Sequence, residues 1–334
     1  MATRLLVSIV VVGGLLAWAL RDVDLRQLGI ALLDVDARRL LLGLAVQLAV
    51  MWIKSVRLSV AIRGAVERPV RCVFSASMIG FAGNVLLPAR LGELARVSII
   101  EKHNWIGLPL LVTIVGITQV FDLLALAGYF VALGVWATSL FMTYRWALDL
   151  LGIVLLSILA SLMVVGQKTQ SLRVLLLPIC EKLPVAIQRR VTGYAGLFVQ
   201  GFGILSKGRV VSWVLLTTVA IWSLETVATY LLLLAFHINA TLQSAAMLVI
   251  VLNLSFIFPI TPGNAGMFQA VSVLLLGSFG ITQAAALAYG IGAQSASYAL
   301  IVSLGVICFC REKMNIFGRA SPENVARTTV PAMD

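Results

Sequence analysis

Apolar runs long enough to cross a bilayer recur along the chain, and no other feature restricts its fold so severely. They fall at about residues 5 to 20, 39 to 56, 72 to 87, 106 to 138, 146 to 165, 210 to 235, 243 to 258, 264 to 278 and 283 to 310. A helix needs roughly 18 to 20 apolar residues to cross the hydrocarbon core, so several of these runs qualify outright. Of the 334 residues, 60% are hydrophobic and only 12% are charged, which excludes a soluble globule. In lipid the backbone must satisfy its own hydrogen bonds, and helices do so within one segment. The expectation is an all-α polytopic membrane protein, a single membrane domain over residues 1–334.

Three runs are short. Those at 72 to 87, 243 to 258 and 264 to 278 stop at or near Pro/Gly breaks, as re-entrant or broken helices do. If 72 to 104 enters and returns on one side, and 243 to 278 on the other, about six full spans remain. Each half then reads span, span, re-entrant hairpin, span, with 1–138 and 146–310 as inverted copies and 311–334 as a disordered cytoplasmic tail. A four-residue rhythm supports the pairing: Asn84, Pro88, Gly92 in the first half and Ser255, Pro259, Gly263 in the second. Inverted repeats with Gly/Pro-interrupted segments are the best sequence pointer to a transporter site near the midplane.

The net charge of +11 is explained by topology and not by nucleic acid, since no basic stripe with interleaved aromatics occurs. With the N-terminus inside, this layout puts twenty of the 25 Lys and Arg residues on the cytoplasmic side, including Lys54, Arg57, Arg90 and Arg96. The plasma membrane is the expected location, with both termini cytoplasmic. Arg4 followed by Leu5 to Leu20, with Ala17-Trp18-Ala19, has the look of a signal peptide, but the repeat needs this helix and it is taken as a retained span.

The polar groups of the hairpins narrow the function. Arg90, Glu93 and Arg96 follow Pro88 at three-residue steps, which places them on one face of a helix. A single charge at membrane depth costs roughly 2.5 to 3.5 kcal/mol, so three together require mutual pairing or a ligand. They suit either an interfacial helix clamped by Glu93 or a site in which arginine meets phosphate oxygens through two parallel hydrogen bonds. The second hairpin, Phe258 to Gln269, is uncharged; Pro259 and Pro262 break its helix, and Gly263 and Gly266 allow close approach or positive φ.

These segments carry a resemblance. N-x-L-L-P-A-R-x-G-E-x-x-R at 84 to 96, P-x-T-P-G-N-x-G-x-F-Q at 259 to 269, and Arg57 after the Trp52 span are similar to the lysylphosphatidylglycerol synthase transmembrane region, also called the flippase-like domain family. The resemblance covers nearly the whole chain. It implies a lipid-flippase module, with Arg57, Asn84, Arg90, Glu93, Arg96, Asn264 and Gln269 as the residues for substrate. Asp122 also matches a family position, although Gln119 stands where a basic residue is common. Asn264 and Gln269 depart from a P-G-G-x-G pattern followed by an acid, which weakens any coupling role for that acid. The chain ends about 24 residues after its last apolar run, so the aminoacyl transferase found in the best-understood members is not expected.

Asp122 and Glu225 are ionisable residues inside long apolar runs and are candidate proton sites or partners of Arg57 or Arg90; a helix-to-helix hydrogen bond is the plainer alternative. His103 and His237 read as interfacial, and the seven tryptophans mostly as interface anchors. Cys72, Cys180, Cys308 and Cys310 give neither a disulfide framework nor a metal site, and no metal or cofactor is expected. Residues 172 to 183 are spaced as an amphipathic surface helix.

The function expected is translocation of a phosphate-bearing lipid, without enzymatic chemistry. The competing readings are an accessory subunit of a lipid or polyprenyl-glycan pathway, an integral-membrane lipid enzyme and an ion channel. The partner implied is a membrane lipid with an anionic headgroup, not nucleic acid; a homodimer or a biosynthetic membrane partner would also fit.

Overall fold

A computed structural model describes residues 24–66, 70, 72–87, 91–104, 106–136, 200–255 and 262–312, with isolated helical positions at 153, 157, 161 and 197. The runs at 5 to 20 and 146 to 165, apart from three of those positions, lie outside the described residues. So do the amphipathic segment at 172 to 183, Pro88, Arg90, Pro259 and the tail beyond 312.

Within the described residues every regular element is helical. In chain order they are α1 (Leu25–Leu33), α2 (Ala37–Val66), α3 (Val73–Leu86), α4 (Leu91–Asn104), α5 (Leu108–Trp136), α6 (Gly208–Ala235), α7 (Leu242–Ser255), α8 (Met267–Ser278) and α9 (Gln283–Glu312). Short 3-10 turns at Gly203–Ser206 and Pro262–Asn264 precede α6 and α8. Four helices among the described residues are long and apolar enough to cross a membrane: Ala37–Val66, Leu108–Ala132, Gly208–Ala235 and Gln283–Arg311.

A pattern of lengths recurs. Helices α2 to α5 have 30, 14, 14 and 29 residues, and α6 to α9 have 28, 14, 12 and 30. The two short pairs are connected differently. Residues 87–90 join α3 to α4, whereas 256–266 join α7 to α8. The four-residue rhythm therefore does not mark equivalent places. Gly92 is the second residue of α4, while Gly263 lies in the 3-10 turn with φ of 58°. Gly266, at the head of α8, stands closer to Gly92's position.

Two contacts set the frame. Helices α2 and α6 lie antiparallel along much of their length: Gly43 meets Leu232 and Ala228 at one end, and Gly64 meets Val210 at the other. Helix α9 runs antiparallel to α3, where Gly305 admits Ala82 and Met78. Without an apolar solvent difference to drive association in lipid, such small-residue seams let backbones approach and gain dispersion contacts. Large side chains on the outside, among them Leu41, Leu42, Leu48, Trp52, Leu215, Leu216 and Val306, are exposed as lipid-facing positions would be.

One apolar core gathers Leu58, Ile62, Ile79, Ile100, Leu111, Ile114 and Val214; a second gathers Leu28, Leu233, Phe236, Leu248, Leu276, Leu287 and Tyr289. Along α6 the first core touches its N-terminal third and the second its C-terminal end. The polar residues Thr218 and Glu225 fall between, about 10 Å apart at 1.5 Å per residue.

Helix α1 was not foreseen. Asp24 caps it by accepting from the amides of Arg26 and Gln27 at 2.8 and 3.4 Å. Asp36 does the same for α2 through Arg38 and Arg39 at 3.0 and 3.1 Å. Arg39 also donates to the Leu234 carbonyl at the end of α6, at 3.2 Å, where the helix dipole favours a cation.

Candidate functional site

The first helical hairpin closes through glycine. Gly80 and Gly83 on α3 face Gly92 and Arg96 on α4; a Cβ on Gly83 would lie 2.8 Å from the Gly92 Cα, and one on Gly92 would overlap the Gly80 carbonyl. This contact brings Asn84 beside Glu93, whose Oε1 accepts from Asn84 Nδ2 at 3.2 Å. Glu93 also forms an ion pair with Arg96, three residues on along the same helix. The Arg96 guanidinium lies 5.9 Å from the centre of the Phe81 ring. Arg96 is buried, at 8% exposure, and its Nε has no hydrogen-bond partner. The buried Oδ1 of Asn84 has none either.

Two further ion pairs cross between long helices. Arg57 on α2 donates from Nη1 and Nη2 to the two carboxylate oxygens of Asp122 on α5, at 2.6 and 2.7 Å. Its Nη1 also donates to Thr218 on α6 at 2.7 Å. Three helices thus meet on one guanidinium that is 5% exposed. One turn earlier on α2, Lys54 reaches Glu225 on α6 at 2.7 Å and lies 5.7 Å from the Trp222 ring centre. The Arg57–Asp122 pair is close enough for both charges to act on Arg96. The described cluster therefore holds Lys54, Arg57 and Arg96 against Glu225, Asp122 and Glu93, and it is electrically balanced.

The second hairpin is organised without charge. Gln269 Oε1 accepts from the Gly266 amide at 2.8 Å, closing the N-terminus of α8, and its Nε2 donates to the Gly290 carbonyl at 3.2 Å and to Gln294 at 2.7 Å. Gln294 donates to the Gly263 carbonyl at 3.1 Å and to the Tyr298 hydroxyl at 2.9 Å. Tyr298 in turn donates to Gly263. Gly263 occupies left-handed backbone space, and a Cβ there would meet the Val85 carbonyl of α3 at 3.1 Å. The 3-10 turn before α8 therefore meets the C-terminal end of α3.

A family model for the lysylphosphatidylglycerol synthase TM region matches residues 5–305. The chain belongs to that family. No curated protein and no solved structure matches it. The family is a membrane domain, and its match includes the run at 5 to 20 and the one at 146 to 165.

Of the residues expected to serve substrate, Asn84, Glu93 and Arg96 share the first hairpin, and the charge of Arg57 acts on Arg96. Asn264, half-buried with φ of 52°, sits in the second tip next to Gly263. Gln269 is buried and turned onto the hairpin itself. Asp122 and Glu225 are not isolated acids; each neutralises a cation of α2. Lys54 and Arg57 are corrected from loop cations to helix-embedded ones, because α2 continues to Val66 where the apolar run had been expected to end at 56. Arg96 lies on a helix, α4, as its spacing from Glu93 implied. Trp222, packed with Leu126, Val249 and Ile250 beneath Lys54, is a core residue and not an interface anchor. His237, with φ of 55°, ends α6 and lies 3.8 Å from Asp34; His103 Nδ1 lies 3.0 Å from the Ile99 carbonyl.

Lys54, Thr218, Gln294 and Tyr298 were missed. Gln294 and Tyr298, four residues apart on an apolar helix, form a polar stripe that a search of α9 for i, i+4 hydrogen-bonding pairs would have found. Thr218 gives no such signal.

Proposed function

We propose that this protein translocates a phosphate-bearing lipid across the plasma membrane, and that the headgroup binds where the two hairpin tips meet. The observation that carries the reading is Arg96. It is a buried guanidinium balanced by a carboxylate one turn away on its own helix, with its Nε unengaged, against the glycine-lined face of α3. A guanidinium in that condition can exchange its carboxylate for phosphate oxygens in the same fork geometry. Arg90, three residues before Glu93 in sequence, is the second cation proposed for the headgroup.

In this account the hairpins are re-entrant, the two halves are inverted copies, and six full spans surround them. Both termini face the cytoplasm, and the protein moves the lipid without transforming it or using a cofactor. Gln269, Gln294 and Tyr298 hold the second tip in place, and Asn264 faces the headgroup beside them.

The test is a scrambling assay with purified protein in liposomes containing fluorescent phospholipid, read by the fraction an impermeant quencher reaches. Wild type is expected to accelerate exposure, and Arg96→Gln and Arg90→Gln to remove the acceleration. If wild type equals empty liposomes for anionic, zwitterionic and polyprenyl lipids alike, the transport reading fails and an accessory role in a lipid or polyprenyl-glycan pathway takes its place.

A further inference from the structure

We infer that Glu93 is a proton carrier: each phosphodiester that binds Arg96 takes Glu93's place as counter-ion, and Glu93 takes up one proton from water. The inference rests on the headgroup site proposed above and adds what drives it.

Three observations combine. First, Glu93 and Arg96 are each other's counter-ions, so a phosphodiester that takes Arg96 leaves the Glu93 carboxylate without that partner. Glu93 is part-buried with its Oε2 out of water, and a carboxylate so placed that loses its cation is disfavoured and neutralises by taking up a proton. Second, the three carboxylates are not equally replaceable. Asp122 holds Arg57 with both oxygens across two helices, and Arg57 is held again by Thr218. Glu225 holds Lys54 across α2 and α6. Glu93 holds Arg96 only within α4; both buried arginines leave Nε unengaged, so it is the local reach of this pair that sets it apart.

Third, the protonated form of Glu93 has a partner already in position. Asn84 Nδ2 donates to Glu93 Oε1, and the adjacent Asn84 Oδ1 is buried with no donor. A proton on Glu93 Oε2 would complete the two-hydrogen-bond ring of an acid with an amide. That single proton satisfies the orphaned acceptor and frees the Arg96 fork together. The charges after exchange are one positive on Arg96, one negative on the phosphodiester and none on Glu93, so neutrality is kept.

Among the described residues the surroundings do not offer a competing proton site at this point. Helix α3, against which α4 packs, has no ionisable side chain between Val73 and Leu86. From α5 the nearest acid is Asp122, locked on Arg57 of α2. On α4 itself Glu101, Lys102 and His103 lie two turns or more beyond Glu93. Tyr298 of α9 is engaged at Gly263 and Gln294.

The experiment uses the full chain in two formats. In detergent, binding of phosphatidylglycerol is followed by tryptophan fluorescence between pH 5 and 8, with proton uptake read by a pH dye in weak buffer. Wild type is expected to take up one proton per lipid bound, and its affinity to rise as pH falls, by up to tenfold per unit, the limit set by uptake of one proton. Glu93→Gln should bind with no proton uptake and a flat pH profile, and Glu93→Asp should restore the slope. In liposomes an imposed pH gradient should bias the leaflet distribution of fluorescent phosphatidylglycerol in wild type and not in Glu93→Gln. Lipid binding and scrambling without proton uptake, or an equal pH slope in Glu93→Gln, would overturn the inference and leave the transport reading standing. Absence of both binding and scrambling in wild type would overturn both. If Glu93→Gln does not fold, Asn84→Leu serves: it removes the acceptor and should move the binding profile to lower pH, and an unchanged profile would count against the proposal.

Discussion

Arg57 and Arg96 are buried arginines close enough to act on each other, yet they are held in opposite ways. Arg57 is fixed by partners 65 and 161 residues away in sequence, on two other helices, in a bidentate fork plus a hydroxyl. Its bonds are what align α2, α5 and α6. Arg96 is fixed by a residue three positions away, so its bond aligns nothing beyond one helical turn. A charge pair that spans elements serves the fold, and one that stays within an element is at liberty to change partner.

That comparison can be broken by substitutions. The largest effect should come from Asp122→Asn, which leaves the Arg57 guanidinium buried without its counter-ion. A loss of about 3 to 5 kcal/mol is expected, seen as a fall in thermal midpoint in detergent. Gly92→Ala should cost about 3 kcal/mol, because its new methyl group overlaps the Gly80 carbonyl and the first hairpin cannot close. Gln294→Leu, read by the same melting experiment, should cost about 1 to 3 kcal/mol by leaving the Gly263 carbonyl and the Gln269 amide short of partners. Arg96→Gln should cost about 2 kcal/mol in stability, less than Asp122→Asn because the stranded Glu93 can neutralise by taking up a proton, while removing lipid exposure in the liposome assay. A melting loss for Arg96→Gln as large as that for Asp122→Asn would erase the distinction between the two arginines. Arg39→Ala, at the exposed end of α6, should cost about 0.3 to 1 kcal/mol.

The sequence read well where one physical signal dominated. Runs at 106 to 138, 210 to 235 and 283 to 310 correspond closely to α5, α6 and α9, since unbroken apolar stretches leave little alternative. The run at 39 to 56 was cut short because Lys54 and Arg57 lower its hydropathy. What continues the helix to Val66 is neutralisation by Glu225 and Asp122, which lie 171 and 65 residues away and leave no local trace. Helix α1 was hidden for the opposite reason: it is short, and its signal is one capping aspartate. At the site, the three-residue spacing of Glu93 and Arg96 was legible as a shared helix face. The free Oδ1 of Asn84, the Gln269–Gln294–Tyr298 chain and the meeting of Gly263 with Val85 depend on how the helices pack, and no spacing rule contains them.

The most direct test of the contrast between the two arginines is infrared difference spectroscopy of the protein with and without phosphatidylglycerol. The account predicts that lipid binding produces a new carboxylic-acid C=O band, retained in wild type and absent from Glu93→Gln. A lipid-bound protein with no such band, or a band that survives in Glu93→Gln, would contradict the exchange of partners at Arg96.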